Sequence, residues 1–79
     1  AAKVLLVEDD RALREALRDT LLLGGHEFDA VDSAEAALPV QAREAFSLVI
    51  SAVNMPGMDG HQFLGQIRTR YPHLPVLLM

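Results

Sequence analysis

From Lys3 to Val7 the chain is apolar without polar alternation after the lysine. A strand with one wet face alternates polar and apolar residues, so an unbroken run of this kind predicts a strand covered on both faces, inside a parallel sheet. Parallel strands need long crossover connections, usually helices. The following residues supply one. Leu13, Ala16, Leu17, Thr20 and Leu21 recur at helical spacing, while Arg11, Arg14, Glu15, Arg18 and Asp19 take the opposite side. Asp10 is placed to cap this helix at its start, and Gly24 and Gly25 to end it, because glycine adopts the left-handed conformation without a Cβ clash.

The alternation continues. Phe28 to Val31 is a shorter strand candidate, interrupted by Asp29. Asp32 with Glu35 resembles a capping box, and Ala34, Ala37, Leu38, Ala42 and Ala45 can line one face of a second helix. Pro39 falls inside that helix and predicts a kink, while Gln41 puts an amide on its apolar stripe. Phe46 to Val53 reads as a third strand. Asp59 and Gln62 then cap a third helix with Phe63, Leu64, Ile67 and Tyr71 on its apolar side, Tyr71 anchoring its end. Pro72 and Pro75 bracket the exit, and Leu74 to Met79 opens a fourth strand.

Strand and helix in strict alternation predict an α/β fold with right-handed crossovers and a parallel sheet, in βαβαβαβ order. Ligands of such sheets collect beyond the carboxyl ends of the strands. Those ends carry Glu8, Asp9 and Asp10 after the first strand and Ser51 to Asn54 after the third, so the two segments are expected to meet in one negatively charged pocket. Adjacent carboxylates are costly unless a cation or a proton screens them, which points to a divalent cation.

Composition removes several alternatives. With 79 residues the chain is one domain at most, and a domain of this size buries only about 60–65% of its unfolded surface. Hydrophobic residues at 51% and charged ones at 23% argue against a disordered tail. A net charge of −4 offers no electrostatic footprint for nucleic acid or an anionic membrane. Without cysteine there is neither a disulfide framework nor a thiolate zinc site. The longest apolar runs fall far short of the roughly 20 residues that span a bilayer, so a soluble, cytoplasmic chain is expected.

The segments VLLVEDD and LVISAVNMPGMDG resemble the receiver domain of two-component response regulators, closest to NtrC-type receivers that control flagellar transcription. The whole chain, residues 1–79, is similar to the first four strands and three helices of that domain. The resemblance implies a flavodoxin-like fold in truncated form. It also implies that Glu8 and Asp9 belong to a Mg²⁺ site, with Asp9 as direct ligand and the backbone carbonyl of Asn54 as a further one. Met55, Pro56 and Gly57 map to the tight turn that follows, with proline second and glycine third as in a type II turn. The aspartate that takes phosphate from a histidine kinase maps to Ala52.

A methyl group has no oxygen to attack phosphorus and none to give a metal, so the resemblance implies a receiver without phosphorylation and with weak or absent Mg²⁺ binding. Removing one carboxylate also relieves repulsion at the site. Members of the family continue with a switch hydroxyl, further helices and a fifth strand ending in lysine, which these 79 residues do not include. The apolar sheet face and edge left open predict a homodimer or swapped oligomer, and an assembly module without signalling chemistry is the alternative reading.

Other readings fare worse. A dinucleotide-binding domain needs G-x-G-x-x-G after its first strand, where this chain has EDDRAL. A phosphohydrolase would need Asp9 or Asp10 as nucleophile with a basic clamp nearby, and none follows the second or third strand. Ser51 lacks a nucleophile elbow; His26, His61 and His73 lack metal-ligand spacing and read as surface; Met55 and Met58 read as loop packing.

Overall fold

In the computed structural model, which describes residues 3–79, Val4 to Val7 are buried in succession and Lys3–Val7 (β1) has a strand on either side. The remaining elements follow in the alternating order: α1 (Arg11–Leu23), β2 (Glu27–Val31), α2 (Ala34–Arg43), β3 (Leu48–Ser51), α3 (Gly60–Arg70) and β4 (Val76–Leu78). The four strands run parallel in the order β2-β1-β3-β4. Val4 pairs with Phe28 and with Leu48, and Val49 with Val76. The chain steps outward from β1 to β2, returns across β1 to β3, then moves on to β4. With right-handed crossovers this places α1 on one face and α2 and α3 on the other.

Strand alternation divides the core accordingly. Leu5, Val7 and Val49 form one cluster with Ala34 and Ala37 of α2, Phe63 and Ile67 of α3, and Phe46, Met55 and Leu74 from the loops. Val4 and Leu6 point to the α1 face and are also buried. Lys3 closes the lower end, its ammonium 3.2 Å from Asp29, bonded to Glu44 and 5.6 Å above the Phe46 ring, so the aspartate inside edge strand β2 is paired.

Several local expectations are corrected. In α1 the half-buried residues are Arg14, Leu17 and Leu21, while Leu13, Ala16 and Thr20 are exposed. Arg14 leaves the polar side because its guanidinium finds backbone carbonyls to bind. Ser33, not Asp32, caps α2, accepting from Ala36 N at 3.0 Å, and Glu35 does not close a capping box. The inward stripe of α2 is Ala34, Ala37 and Gln41; Ala42 and Ala45 are exposed, and the helix runs unbroken through Pro39. β3 and β4 are shorter than their apolar runs, because Phe46 and Leu74 serve as loop plugs beneath the sheet.

Gln41 stands out among these core positions, at 4% exposure and with an Oε1 that has no hydrogen-bond partner. A buried acceptor left unmade costs about 1–3 kcal/mol. Gln41→Leu, which keeps the volume and removes the orphan, is expected to stabilise the fold by about 1–2 kcal/mol, seen as a raised urea midpoint with unchanged slope.

Candidate functional site

The register of β1 against β3 decides what meets at the upper end of the sheet. Val7 pairs with Ser51, and one residue on, Ala52 N donates to Val7 O at 2.9 Å while Glu8 N donates to Val31 O at 3.1 Å. Glu8 and Ala52 therefore leave adjacent strands at the same level, at the point where the strand order reverses. The two distant segments converge on one rim.

Their side chains differ in what they can do there. Glu8 is buried, and its Oε1 accepts from Asp10 N at 3.2 Å. Burial pushes the Glu8 carboxyl above its ordinary value; the Asp10 N–H opposes this, the nearby Asp9 and Asp10 charges add to it, and Arg14 opposes it. Asp9 is exposed. Asp10 is the N-cap of α1, its Oδ1 accepting from Leu13 N at 3.1 Å, so its carboxylate is committed to the helix. Arg14 Nη1 donates to Glu8 O at 2.9 Å and to Asp9 O at 3.4 Å, clamping the loop through its backbone.

On the β3 side Ala52 is buried with a methyl group, and Ser51 is sealed, its Oγ donating to Ala52 O at 3.0 Å. Asn54 is exposed and Met55 is buried in the core. Gly57 has φ +73°, the sign that the third position of a type II turn requires. His26, His61 and His73 are exposed and scattered, and Met58 is half-buried in the loop.

Two contacts that organise this loop carried no recognised signal in the sequence. Glu35, from the first turn of α2, accepts from Met58 N at 3.1 Å, and that bond holds its carboxyl below the usual range. A Cβ on Gly60 would lie 2.3 Å from Ala52 O, so only glycine lets α3 begin against the end of β3. The capping box of Asp59 and Gln62 is present as expected.

For a divalent cation the donor set is short. Among the described residues no group of three or more His, Cys, Asp or Glu side chains is placed to hold a metal ion. Mg²⁺ demands near-octahedral oxygen coordination, and here Glu8 is buried on a backbone N–H, Asp9 is exposed, Asp10 caps α1, and the adjoining Ala52 ends in a methyl. The residues present do not fit a tight Mg²⁺ site.

Comparison with known proteins supplies the context. Residues 4–79 match the response regulator receiver domain. The chain is 92% identical over all 79 residues to response regulator protein FleR of Pseudomonas aeruginosa, and 39% identical over 77 residues to the C4-dicarboxylate transport transcriptional regulatory protein DctD of the same species. It spans 17% of the length of each. Among solved structures it is similar to chemotaxis protein CheY4 of Vibrio cholerae, with TM-score 0.93, 34% identity, and coverage of 98% of this chain and 66% of that one. It is also similar to TrrA of Thermotoga maritima in complex with Mg²⁺-BeF, with TM-score 0.94, 31% identity, and coverage of 99% and 68%.

The buried Glu8 carboxyl sets a pH dependence. Its folded-state pKa is raised above 4.5, so the native state holds a proton that the unfolded chain releases, and the resulting stability is full below 4.5 and lost as pH rises through the folded value. Glu8→Gln is expected to be more stable than the parent at neutral pH, with the difference closing below 4.5, in chemical denaturation run across pH.

Proposed function

Because the chain belongs to the response regulator receiver domain family, we propose that it is the receiver module of a cytoplasmic transcriptional regulator whose phosphoacceptor position is filled by Ala52, leaving a scaffold without the phosphorylation step. One observation carries this reading: the residue that follows β3, level with Glu8 at the reversal of strand order, ends in a buried methyl. Phosphoryl transfer to a receiver needs a carboxylate oxygen as nucleophile, and a methyl has no lone pair to offer. In this reading Glu8, Asp9 and the Asn54 carbonyl are the remnant of a Mg²⁺ site. Bound Mg²⁺ would supply charge neutralisation at the rim; with the carboxylate at position 52 missing, affinity is low. Arg14 and Glu35 hold the two loops, and Gly57 and Gly60 shape the second one.

A histidine kinase is the partner proposed for the scaffold, on the strength of the complex between histidine kinase ThkA and TrrA, whose receiver is 31% identical to this chain. Contact with nucleic acid or membrane forms no part of the reading.

A second reading, an assembly module, is favoured by the apolar surface on the α1 face. No residue of α1 is buried; Leu22 and Leu23 are 61% and 91% exposed, and Leu77, in register with Ile50 and Leu6 on the same face, is 56% exposed. A second copy of the chain is the occupant proposed there.

Intact mass after incubation with acetyl phosphate and Mg²⁺ is expected to show no phosphoryl adduct on the parent chain, and Ala52→Asp to bind Mg²⁺ at least about tenfold more tightly than the parent. An adduct on the parent, or equal Mg²⁺ affinities, overturns the first reading. Sedimentation velocity at rising concentration is expected to show a dimer, and a monomer throughout overturns the second.

A further inference from the structure

The loop between β3 and α3 is fixed at its two ends by backbone bonds: Val53 N donates to Met79 O at 3.2 Å, and Gly60 N to Val53 O at 2.8 Å. Between them, among the described residues, Asn54 to Met58 make a single backbone hydrogen bond, from Met58 N to Glu35 Oε2 at 3.1 Å. Pro56 has no N–H to add. Met55 anchors the segment with its buried side chain, and Met58 packs half-buried against the same cluster. The polar hold on the loop is therefore one carboxylate, reaching across from the first turn of α2.

Gly57 and Glu35 fit each other. A Cβ on Gly57 would lie 2.5 Å from Glu35 Oε2, the same oxygen that accepts from Met58 N. No real Cβ sits that close to an oxygen, so any side chain at residue 57 drives the carboxylate off its seat. Gly57 also has φ +73°, which strains a side chain for a second reason. The two reasons are separable, because the strain is independent of residue 35 and the collision is not.

The hold depends on charge. A carboxylate accepts from an N–H about twice as strongly as a neutral oxygen does. The Met58 N–H is the first cause that keeps the Glu35 carboxyl below its ordinary 4.5, and its own N–H the second, with burial opposing them. Neither Asp32 ahead of α2 nor Asp59 at the cap of α3 adds to this, and no ion pair among the described residues includes Glu35. Glu35 is exposed, so protons reach it directly. With a folded value below the unfolded one, the bond is intact above 4.5 and is lost as pH falls through the folded value.

We infer that Glu35, Gly57 and Met58 form a latch between α2 and the rim loop, closed by the Glu35 carboxylate and opened by its neutralisation while the sheet stays intact. What opens is Asn54 to Met58, just beyond Ala52, so α2 controls the freedom of a loop to which it is not joined. Position 52 takes no part in the latch, and the inference stands whichever residue occupies it.

The test follows the Met58 amide of the isotope-labelled chain. Its proton signal is expected to move upfield as pH falls, with a midpoint below 4.5, and to lose that step in Glu35→Gln. At neutral pH its hydrogen exchange is expected to be about three- to tenfold faster in Glu35→Gln, Glu35→Ala and Gly57→Ala than in the parent, with the amide signals of Leu5 and Val49 in their parental positions. Gly57→Ala is expected to add no further acceleration to Glu35→Ala, because both open the same bond. The exchange arm runs where the sheet is folded, so it decides the question independently of acid unfolding. A titration step that persists in Glu35→Gln, unchanged exchange in any of the single variants, or additive acceleration in the double variant would each overturn the proposal.

Discussion

The hydrogen bond from Ala52 N to Val7 O, 2.9 Å long, is the contact on which the arrangement of the upper rim depends. It continues the β1–β3 ladder one step past Val7 and Ser51, so Glu8 and Ala52 emerge side by side. A slip of one residue would turn Val7 and Val49 away from the Phe63 and Ile67 core and carry Glu8 out of its buried seat. The ladder is protected by burial: Leu5, Leu6, Val7, Val49 and Ser51 are all fully enclosed. Core packing and site geometry are thus one constraint on the central strands.

Around that pair the acidic residues have separate tasks. Asp10 is spent on the start of α1, Glu8 is buried against a backbone N–H, and Asp9 is exposed. Glu35, distant in sequence from either motif, ties α2 to the loop after β3 through Met58 N. Arg14 performs the matching task on the loop after β1. Each loop is therefore held by a charged side chain bonded to its backbone, an arrangement that does not require an ion between them. The similarity to TrrA, which is described with Mg²⁺-BeF, is one of backbone frame, with TM-score 0.94.

Much of this frame was legible in the sequence, because the relevant signals are periodic. The apolar run after Lys3, the glycines after Leu23 and the Asp59–Gln62 box each describe local physics that the fold leaves intact. What was misread depends on contacts across the chain. Arg14 has a charged side chain and was placed on the wet side of α1, yet the carbonyls of Glu8 and Asp9 draw it inward. Asp32 and Ser33 are both competent caps, and only the path of the chain out of β2 selects the serine. Ala45 matches the helical period, but α2 ends at Arg43 and the next plug is Phe46, while Ala42, inside the helix, lies off the inward stripe of Ala34, Ala37 and Gln41. The roles of Glu35 and Gly60 have no periodic trace, since each is defined by a partner brought near by folding.

Gly60 also bears on how this scaffold could be remade. Its missing Cβ is replaced by the carbonyl of Ala52, and its N–H donates to Val53 O at 2.8 Å, so helix and strand touch backbone to backbone. A larger side chain at residue 52, which is itself buried, has to find room at the rim, whereas any side chain at residue 60 meets backbone and pries the junction open. Any redesign of this rim therefore has to keep residue 60 as glycine, a fixed hinge pin for the strand end across the gap.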